Sequence, residues 1–225
     1  MEESTTTSAR PMLRTIEVYA SIQGESTWAG LPCVFIRLAR CNLRCVWCDT
    51  TYSFTGGEMH AVDDLVEQAL SYGIALVEIT GGEPLLQPHC ATLCEALIAR
   101  GCTVLVETSG SLPINTLPAA AIKIMDLKCP DSGEVLRNHW PNIAMLNPAQ
   151  DEVKFVIASR RDYEWARDTI REHALERRCK AILLSPVFGQ VQPKDIVPWM
   201  LEDRLPARFQ LQMHKFIWPP DMKGV

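Results

Sequence analysis

The sequence predicts an α/β domain built on a parallel sheet. Three observations carry that expectation. Short apolar, β-branched segments of strand length recur along the chain, each bounded by turn residues. Helix-length amphipathic stretches separate several of them, and strand alternating with helix is the pattern of parallel pairing. Finally, there is no internal repeat and no Gly/Ser/Pro-rich linker to divide the chain.

Taken in order, residues 1–11 are polar and Ser/Thr-rich and read as a flexible tail, with residues 12–225 forming one domain. Strands are expected at 15–20 and 33–38, followed by a loop dense in cysteine. A helix is expected over 61–72, where Val62, Leu65, Val66, Ala69 and Leu70 share a face. Strand 76–80, helix 88–100 and strand 103–107 come next. The stretch 108–121 contains Gly110, Pro113 and Pro118 and cannot hold a full crossover helix. Strands at 122–127 and 153–157, a helix over 160–178, and strands at 181–185 and 209–213 complete the reading. With a crossover helix missing, an open doubly wound sheet and a partial α/β barrel both remain. Either fold gathers ligands at the C-terminal ends of its strands. The chemical-looking residues fall there: 40–50 after the second strand, Gly81-Gly82-Glu83-Pro84 after the third, Glu107-Thr108-Ser109-Gly110 after the fourth and Lys128 after the fifth.

Composition narrows the function. A chain of 225 residues, 47% hydrophobic and 22% charged, is an ordinary globular domain. Its apolar runs, such as 181–184, are far shorter than the roughly 20 residues that span a bilayer, so no membrane partner is expected. The first residues lack the basic-then-apolar pattern of a secretory signal, which implies a cytoplasmic protein. A net charge of −5 argues against nucleic acid as a ligand. Nine cysteines in a reducing compartment point to metal or catalytic use rather than to a disulfide framework.

Cys41, Cys45 and Cys48 form a C-x3-C-x2-C run inside eight residues. Chance would produce that pattern in roughly 0.01 chains of this composition, so accident is a poor account of it. Arg44 and Asp49 break any apolar face that three inert buried thiols would need. Structural zinc usually takes four closed ligands, and no second C-x2-C or His-x3-His is present. A zinc enzyme with an open position stays possible in principle, but three compact thiolates are more typical of an iron–sulfur cluster with one iron left free. The other six cysteines read as small core residues, although Cys129 directly follows Lys128.

This cysteine run, with Trp47 before its last cysteine and a strand ending in Gly-Gly-Glu-Pro, resembles the radical S-adenosylmethionine (SAM) superfamily. Within it, the segments Ser21-Ile22-Gln23-Gly24-Glu25-Ser26, Cys48-Asp49-Thr50, Glu107-Thr108-Ser109-Gly110, Asp126-Leu127-Lys128-Cys129-Pro130 and Gln212-Met213-His214-Lys215 are similar to those of the 7-carboxy-7-deazaguanine synthase family. The resemblance runs from about Ile16 to the C-terminus and implies a single-domain partial (β/α) barrel with some crossover helices missing. It implies a [4Fe-4S] cluster on Cys41, Cys45 and Cys48, whose reduction cleaves SAM. The resulting radical takes a hydrogen from 6-carboxy-5,6,7,8-tetrahydropterin, and ring contraction with loss of ammonia gives 7-carboxy-7-deazaguanine, a precursor of queuosine-type bases. Cofactor chemistry of this kind asks the protein to orient and to exclude water.

The same resemblance assigns residues. Trp47, Gly82, Glu83, Ser109, Asp126, Leu127, Lys128 and Ser185 are expected to contact SAM, with Gly81 and Gly82 letting the backbone approach it and Glu83 meeting its ammonium. Ile22, Gln23, Gly24, Glu25, Arg37, Thr80 and Pro220 are expected around the pterin, and Glu107 and His214 are the catalytic candidates. Arg37 lies in an apolar strand where an unpartnered guanidinium is costly; the substrate carboxylate or an internal acid can partner it. Thr50 is the implied Mg2+ ligand, since a hard cation accepts one hydroxyl among waters and substrate oxygens. Ser26 stands where many relatives carry glycine, and residues 221–225 extend past the point where some relatives end. A reductant such as flavodoxin or ferredoxin and a homodimer are further implications. A glycyl-radical activase and a zinc-binding interaction module are the competing functions.

Overall fold

Strand-forming runs and amphipathic stretches fall close to where the sequence puts them. In a computed structural model, which describes residues 10–225, the elements are β1 (Met12–Ile22), β2 (Pro32–Leu38), β3 (Glu58–Ala61), α1 (Val62–Ser71), β4 (Leu76–Gly81), α2 (Cys90–Ala99) and β5 (Thr103–Thr108). They continue with β6 (Ile122–Asp126), β7 (Glu152–Ile157), α3 (Arg160–His173), β8 (Ala181–Pro186), α4 (Pro193–Asp203), β9 (Arg208–Phe209) and α5 (His214–Ile217). Of the expected tail, residues 1–9 lie outside the described residues. Arg10 and Pro11 already touch the domain: Arg10 Nη2 is 2.9 Å from Asp64 Oδ1, and Pro11 O accepts from Val62 N at 3.0 Å.

The strands form one sheet in the order β3-β1-β2-β4-β5-β6-β7-β8-β9. From β2 to β9 every pairing is parallel, as expected. At the other end the expectation is corrected, because β1 runs antiparallel to both β2 and β3. β3 and β9 are the two edges and do not pair, so the barrel is partial. β3 escapes the sequence reading because Glu-Met-His-Ala contains no β-branched residue. α4 escapes it because Pro198 sits inside the helix. α3 stops at His173, short of the expected end, where Ala174 turns into the left-handed region at φ +48°. The expected strand 209–213 ends after Phe209, and Met213 N instead donates to Gly24 O at 2.9 Å, which brings α5 to the site.

Two crossovers lack an α-helix: that between β5 and β6, as the glycine and prolines of 108–121 require, and that between β6 and β7. Asparagine side chains hold them together by standing in for backbone groups. Asn142 Nδ2 donates to Leu112 O at 2.8 Å, and its Oδ1 accepts from Ile114 N at 3.1 Å. Asn138 pairs both ways with the backbone of Lys128, at 2.9 and 3.0 Å.

The strands present alternate residues to two faces. Under α1 and α2 the outer face packs Val34, Ile36, Val77, Ile79, Val104 and Val106. A second outer core gathers Phe155, Ile157, Tyr163 and Ile182 beneath α3 and α4. On the inner face a smaller apolar floor of Cys33, Phe35, Leu76, Leu105 and Ile124 lies toward the N-terminal strand ends. Toward the C-terminal ends the same face turns polar, and the site begins there. Among the described residues no helix is long and apolar enough to cross a membrane.

Candidate active site

Cys41, Cys45 and Cys48 occupy the loop after β2. These three are partly exposed and border one cavity of about 500 Å3, whereas the other six cysteines are buried. Partial burial pushes each of the three thiols up, Cys45 to about 11. Cys129 packs in the outer core, 1% exposed, and takes no part in the cavity.

The loop is held by the chain's own backbone. Gly82 N donates to Leu38 O at 3.1 Å and Glu83 N to Arg40 O at 2.8 Å. A Cβ on Gly81 would stand 2.1 Å from Leu38 O, and one on Gly82 2.0 Å from Arg40 O; neither fits. The two glycines are therefore needed for β4 to lie against the start of the cysteine loop. Both still border the cavity.

Of the other expected SAM contacts, Trp47, Ser109, Asp126 and Lys128 border the cavity. Lys128 Nζ pairs with Asp126 Oδ2 at 2.7 Å, while Asp126 Oδ1 is buried without a partner. Burial works against the Lys128 ammonium, but Asp126 and the neighbouring Cys45 thiol outweigh it and raise its affinity for the proton. Three other expected contacts, Glu83, Leu127 and Ser185, do not border the cavity. Glu83 is fully buried and turned under the loop, accepting from Leu85 N at 3.0 Å, Thr108 Oγ1 at 2.9 Å, Ser109 N at 2.7 Å and the Ser109 hydroxyl. Its lone pairs are spent on capping the turn after β4. Leu127 is fully buried in the outer core, and its N–H is taken by Lys154 O at 2.9 Å. Ser185 is fully buried, with its hydroxyl accepting from Gln210 Nε2 at 2.8 Å.

The opposite half of the cavity brings together every residue expected around the pterin: Ile22, Gln23, Gly24, Glu25, Arg37 and Thr80, joined by Glu107, His214 and Pro220. Arg37 has internal partners, and it also borders the cavity. Its Nε donates to Glu17 Oε1 at 2.7 Å and its Nη2 to Tyr19 Oη at 2.9 Å, and Tyr52 Oη donates to the same Glu17 oxygen at 2.8 Å. Glu17 faces Arg37 directly in the β1–β2 register. Thr50 Oγ1 donates to Asp49 Oδ1 at 2.9 Å, and Asp49 Oδ2 meets Lys215 Nζ at 2.7 Å. Packing around Asp49 would raise its carboxyl, but the Lys215 ammonium holds it down to about 2. Gly24 lies against His214 so closely that a Cβ there would sit 2.3 Å from Nδ1. Residues 221–225 also border the cavity, with Lys223 Nζ 4.3 Å from the centre of the Tyr52 ring.

Two residues of this half were not singled out from sequence. Glu78, 3% exposed, accepts from Gln23 Nε2. Lys154, 4% exposed, pairs with Glu25 Oε2 at 2.9 Å and with Glu107 Oε1. Their sequence signal is a charged residue flanked by apolar ones in mid-strand, the same signal that drew attention to Arg37. Burial and then the neighbouring Glu107 push the Glu78 carboxyl well above its ordinary range. For Glu25 burial also raises, but Lys154 and Gln212 prevail and its carboxyl sits below the ordinary value.

Comparison with known proteins agrees with this geometry. Residues 35–184 match the sequence profile of the Radical SAM superfamily. A protein of Koribacter versatilis (strain Ellin345), named 7-carboxy-7-deazaguanine synthase, is 46% identical over 93% of this chain and 98% of its own length. One of Chlorobaculum tepidum with the same name is 44% identical over 97% of this chain and 100% of its own. The crystal structure of QueE from Escherichia coli superposes with a TM-score of 0.70 at 21% identity, over 90% of this chain and 95% of that one, and so supports the fold. By profile and by identity over nearly its whole length, this chain belongs to the radical SAM superfamily and, within it, to the 7-carboxy-7-deazaguanine synthase family.

Proposed function

We propose that this chain converts 6-carboxy-5,6,7,8-tetrahydropterin to 7-carboxy-7-deazaguanine with release of ammonia, using a [4Fe-4S] cluster, SAM and Mg2+. The observation that carries the reading is that one cavity is lined by two chemically different sets, three thiols and an acid–lysine–histidine group. The cluster fits the thiol half. Each thiolate of such a cluster takes its own iron, so the three sulfurs need only face one space. A single zinc ion requires convergence, and among the described residues no three His, Cys, Asp or Glu side chains converge on one ion. SAM fits beside it: buried Asp126 Oδ1 lacks a donor, which a hydroxyl or amine of SAM supplies. When bound, the reduced cluster and SAM together supply the radical that takes a hydrogen atom from the substrate.

The chain's own residues do the rest. Ser109, Lys128 and Trp47 orient SAM across the C-terminal strand ends. Glu107 accepts from the N–H groups of the pterin, and Thr80, Gln23 and the backbone of residues 22–24 fix its plane. Burial holds His214 below the ordinary histidine value, so it stays neutral near pH 7 and can take or return a proton. Arg37, pre-oriented by Glu17, meets the substrate carboxylate, and Thr50 is the residue that would hold Mg2+, which would supply positive charge for that carboxylate. A one-electron donor of the flavodoxin or ferredoxin kind and a homodimer complete the reading.

Anaerobic reconstitution with iron and sulfide, then incubation with SAM, a reductant and 6-carboxytetrahydropterin, tests it. The expected product is 7-carboxy-7-deazaguanine, read by mass, with Mg2+ stimulating turnover. Purification with stoichiometric zinc and no iron uptake would overturn the enzyme reading; SAM cleavage without this product would overturn the substrate.

A further inference from the structure

Lys154 is an expensive residue where it stands. It lies in Glu-Val-Lys-Phe-Val-Ile, in mid-strand β7, with only 4% of its surface exposed. A methionine or leucine would pack there without the cost of desolvating an ammonium. The lysine bridges two acids that are remote in sequence and come from different elements. Glu25 comes from the loop after β1 and Glu107 from β5, so the side chain reaches across β6 to join them. Both acids are pinned a second time, Glu25 Oε1 by Gln212 Nε2 at 2.9 Å and Glu107 Oε2 by Thr80 Oγ1 at 3.2 Å. All of these groups border the cavity.

We infer that Lys154 is a positioning residue for the substrate: its one buried ammonium clamps Glu25 and Glu107 in a fixed orientation, so that together they accept hydrogen bonds from the adjacent N–H donors of a 2-amino-4-oxo-pyrimidine ring. The inference rests on the pterin reading above and adds a residue to it. Carboxylates offer acceptors only, and a ring edge with neighbouring N–H and NH2 groups offers donors only, so the match selects such a ring over an adenine-like edge that mixes the two. Without the clamp the acids would repel each other and rotate or take up a proton, and either change removes acceptors from the ring. The charged and titratable groups facing this point are Glu25 from the loop after β1, Arg37 on β2, Asp49 in the cysteine loop, Glu78 on β4, Glu107 on β5, Asp126 on β6, Lys128 after β6 and His214 on α5. Arg37 is held by Glu17 and Lys128 by Asp126, so neither is free to replace Lys154.

The test compares the reconstituted wild-type enzyme with Lys154→Met, Lys154→Gln and Lys154→Arg. In the two neutral variants KM for 6-carboxytetrahydropterin should rise about 10- to 100-fold, the size of one misplaced hydrogen bond to a charged group. Iron content should not change. The rise should be largest near about pH 6 and shrink toward about pH 8.5, because acids that have lost their cation hold a proton that higher pH removes. Lys154→Arg keeps the charge and should keep the wild-type pH profile, whatever its KM. A KM within about twofold of wild type in whichever neutral variant folds overturns the clamp. So does an increase that is independent of pH and shared by Lys154→Arg, since that is the mark of lost packing alone. Wild-type protein that makes no product refutes the substrate and with it the ligand of the clamp, whereas a wild-type KM in the neutral variants refutes the clamp and leaves the substrate standing.

Discussion

Along β4, Val77 and Ile79 point to one side of the sheet and Glu78 and Thr80 to the other. The first pair is wholly buried against α1 and α2, and each such side chain contributes roughly 1.5–3 kcal/mol relative to exposure. The second pair is just as hidden, yet Glu78 is an acid with no cation of its own, since Lys154 is engaged by Glu25 and Glu107. A single residue of register separates a position that stabilises the fold from one that costs it free energy. The two faces therefore divide the labour: the outer face supplies stability, and the inner face holds charges, most of them paired with one another and Glu78 without an ion pair among the described residues. Changes on the outer face should move stability and leave chemistry alone, and changes on the inner face should act first on chemistry.

The sharpest break between the faces sets Cys48→Ala against Ile79→Ala. Cys48 is partly exposed at the cavity, so its loss should abolish iron uptake, SAM cleavage and product formation while leaving the urea midpoint of the iron-free protein in place. Ile79 is fully buried on the outer face, so its truncation should cost about 2–5 kcal/mol in urea unfolding and leave kcat per folded, iron-loaded molecule unchanged. Residual turnover in Cys48→Ala, or a collapse of kcat in folded Ile79→Ala, would dissolve the division.

How much of this could be read from sequence follows from how local each feature is. The thiol half was legible because three cysteines within eight residues need no tertiary knowledge to be brought together. Most strands were legible from β-branched runs, and the loss of a crossover from Gly110, Pro113 and Pro118. The acid–lysine half was not, because Lys154 meets partners 47 and 129 residues away. Its one local signal, a charge flanked by apolar residues in mid-strand, does not say which partners it meets. Arg37 lies between the two cases. Its burial was evident, but its partner Glu17 sits on an antiparallel strand that alternation with helices did not predict. Glu83 shows the converse, a residue in a recognised motif whose oxygens are already occupied by its own turn.

A weaker break uses pH. His214 belongs to the inner face, where burial holds it below the ordinary value of about 6.5. The unfolded chain therefore binds the proton more readily than the folded one. Stability should rise with pH through the window between the folded value and about 6.5 and flatten above it, because in that window the unfolded state carries more protons. His214→Gln should remove that part of the slope, read as urea unfolding free energy at closely spaced pH. An unchanged slope would mean that the imidazole is as free in the folded protein as in the unfolded one and would take it off the inner face.

The smallest expected effect concerns Ser26, beside Glu25 at the rim of the inner face. Its φ of +65° lies in the left-handed region, which costs a residue with a Cβ about 1–2 kcal/mol. Two hydrogen bonds hold it there: its N–H donates to Gln210 Oε1 at 2.8 Å, and its hydroxyl accepts from Trp28 N at 3.1 Å. Glycine would relieve the backbone but lose the hydroxyl, worth about 0.5–1.5 kcal/mol, and would add unfolded-state entropy worth about 0.4–1 kcal/mol. These terms nearly cancel, so Ser26→Gly should stay within about 1 kcal/mol of wild type. Ser26→Ala keeps the backbone cost and loses the hydrogen bond, so it should be the less stable of the two variants. Urea unfolding with an unchanged m-value reads the order. Alanine matching serine would show that the hydroxyl does not hold this turn. The loop carrying Gln23, Gly24 and Glu25 would then owe its shape to Gln210 and to the contact between Gly24 and His214, which ties the rim of the cavity to α5 rather than to its own sequence.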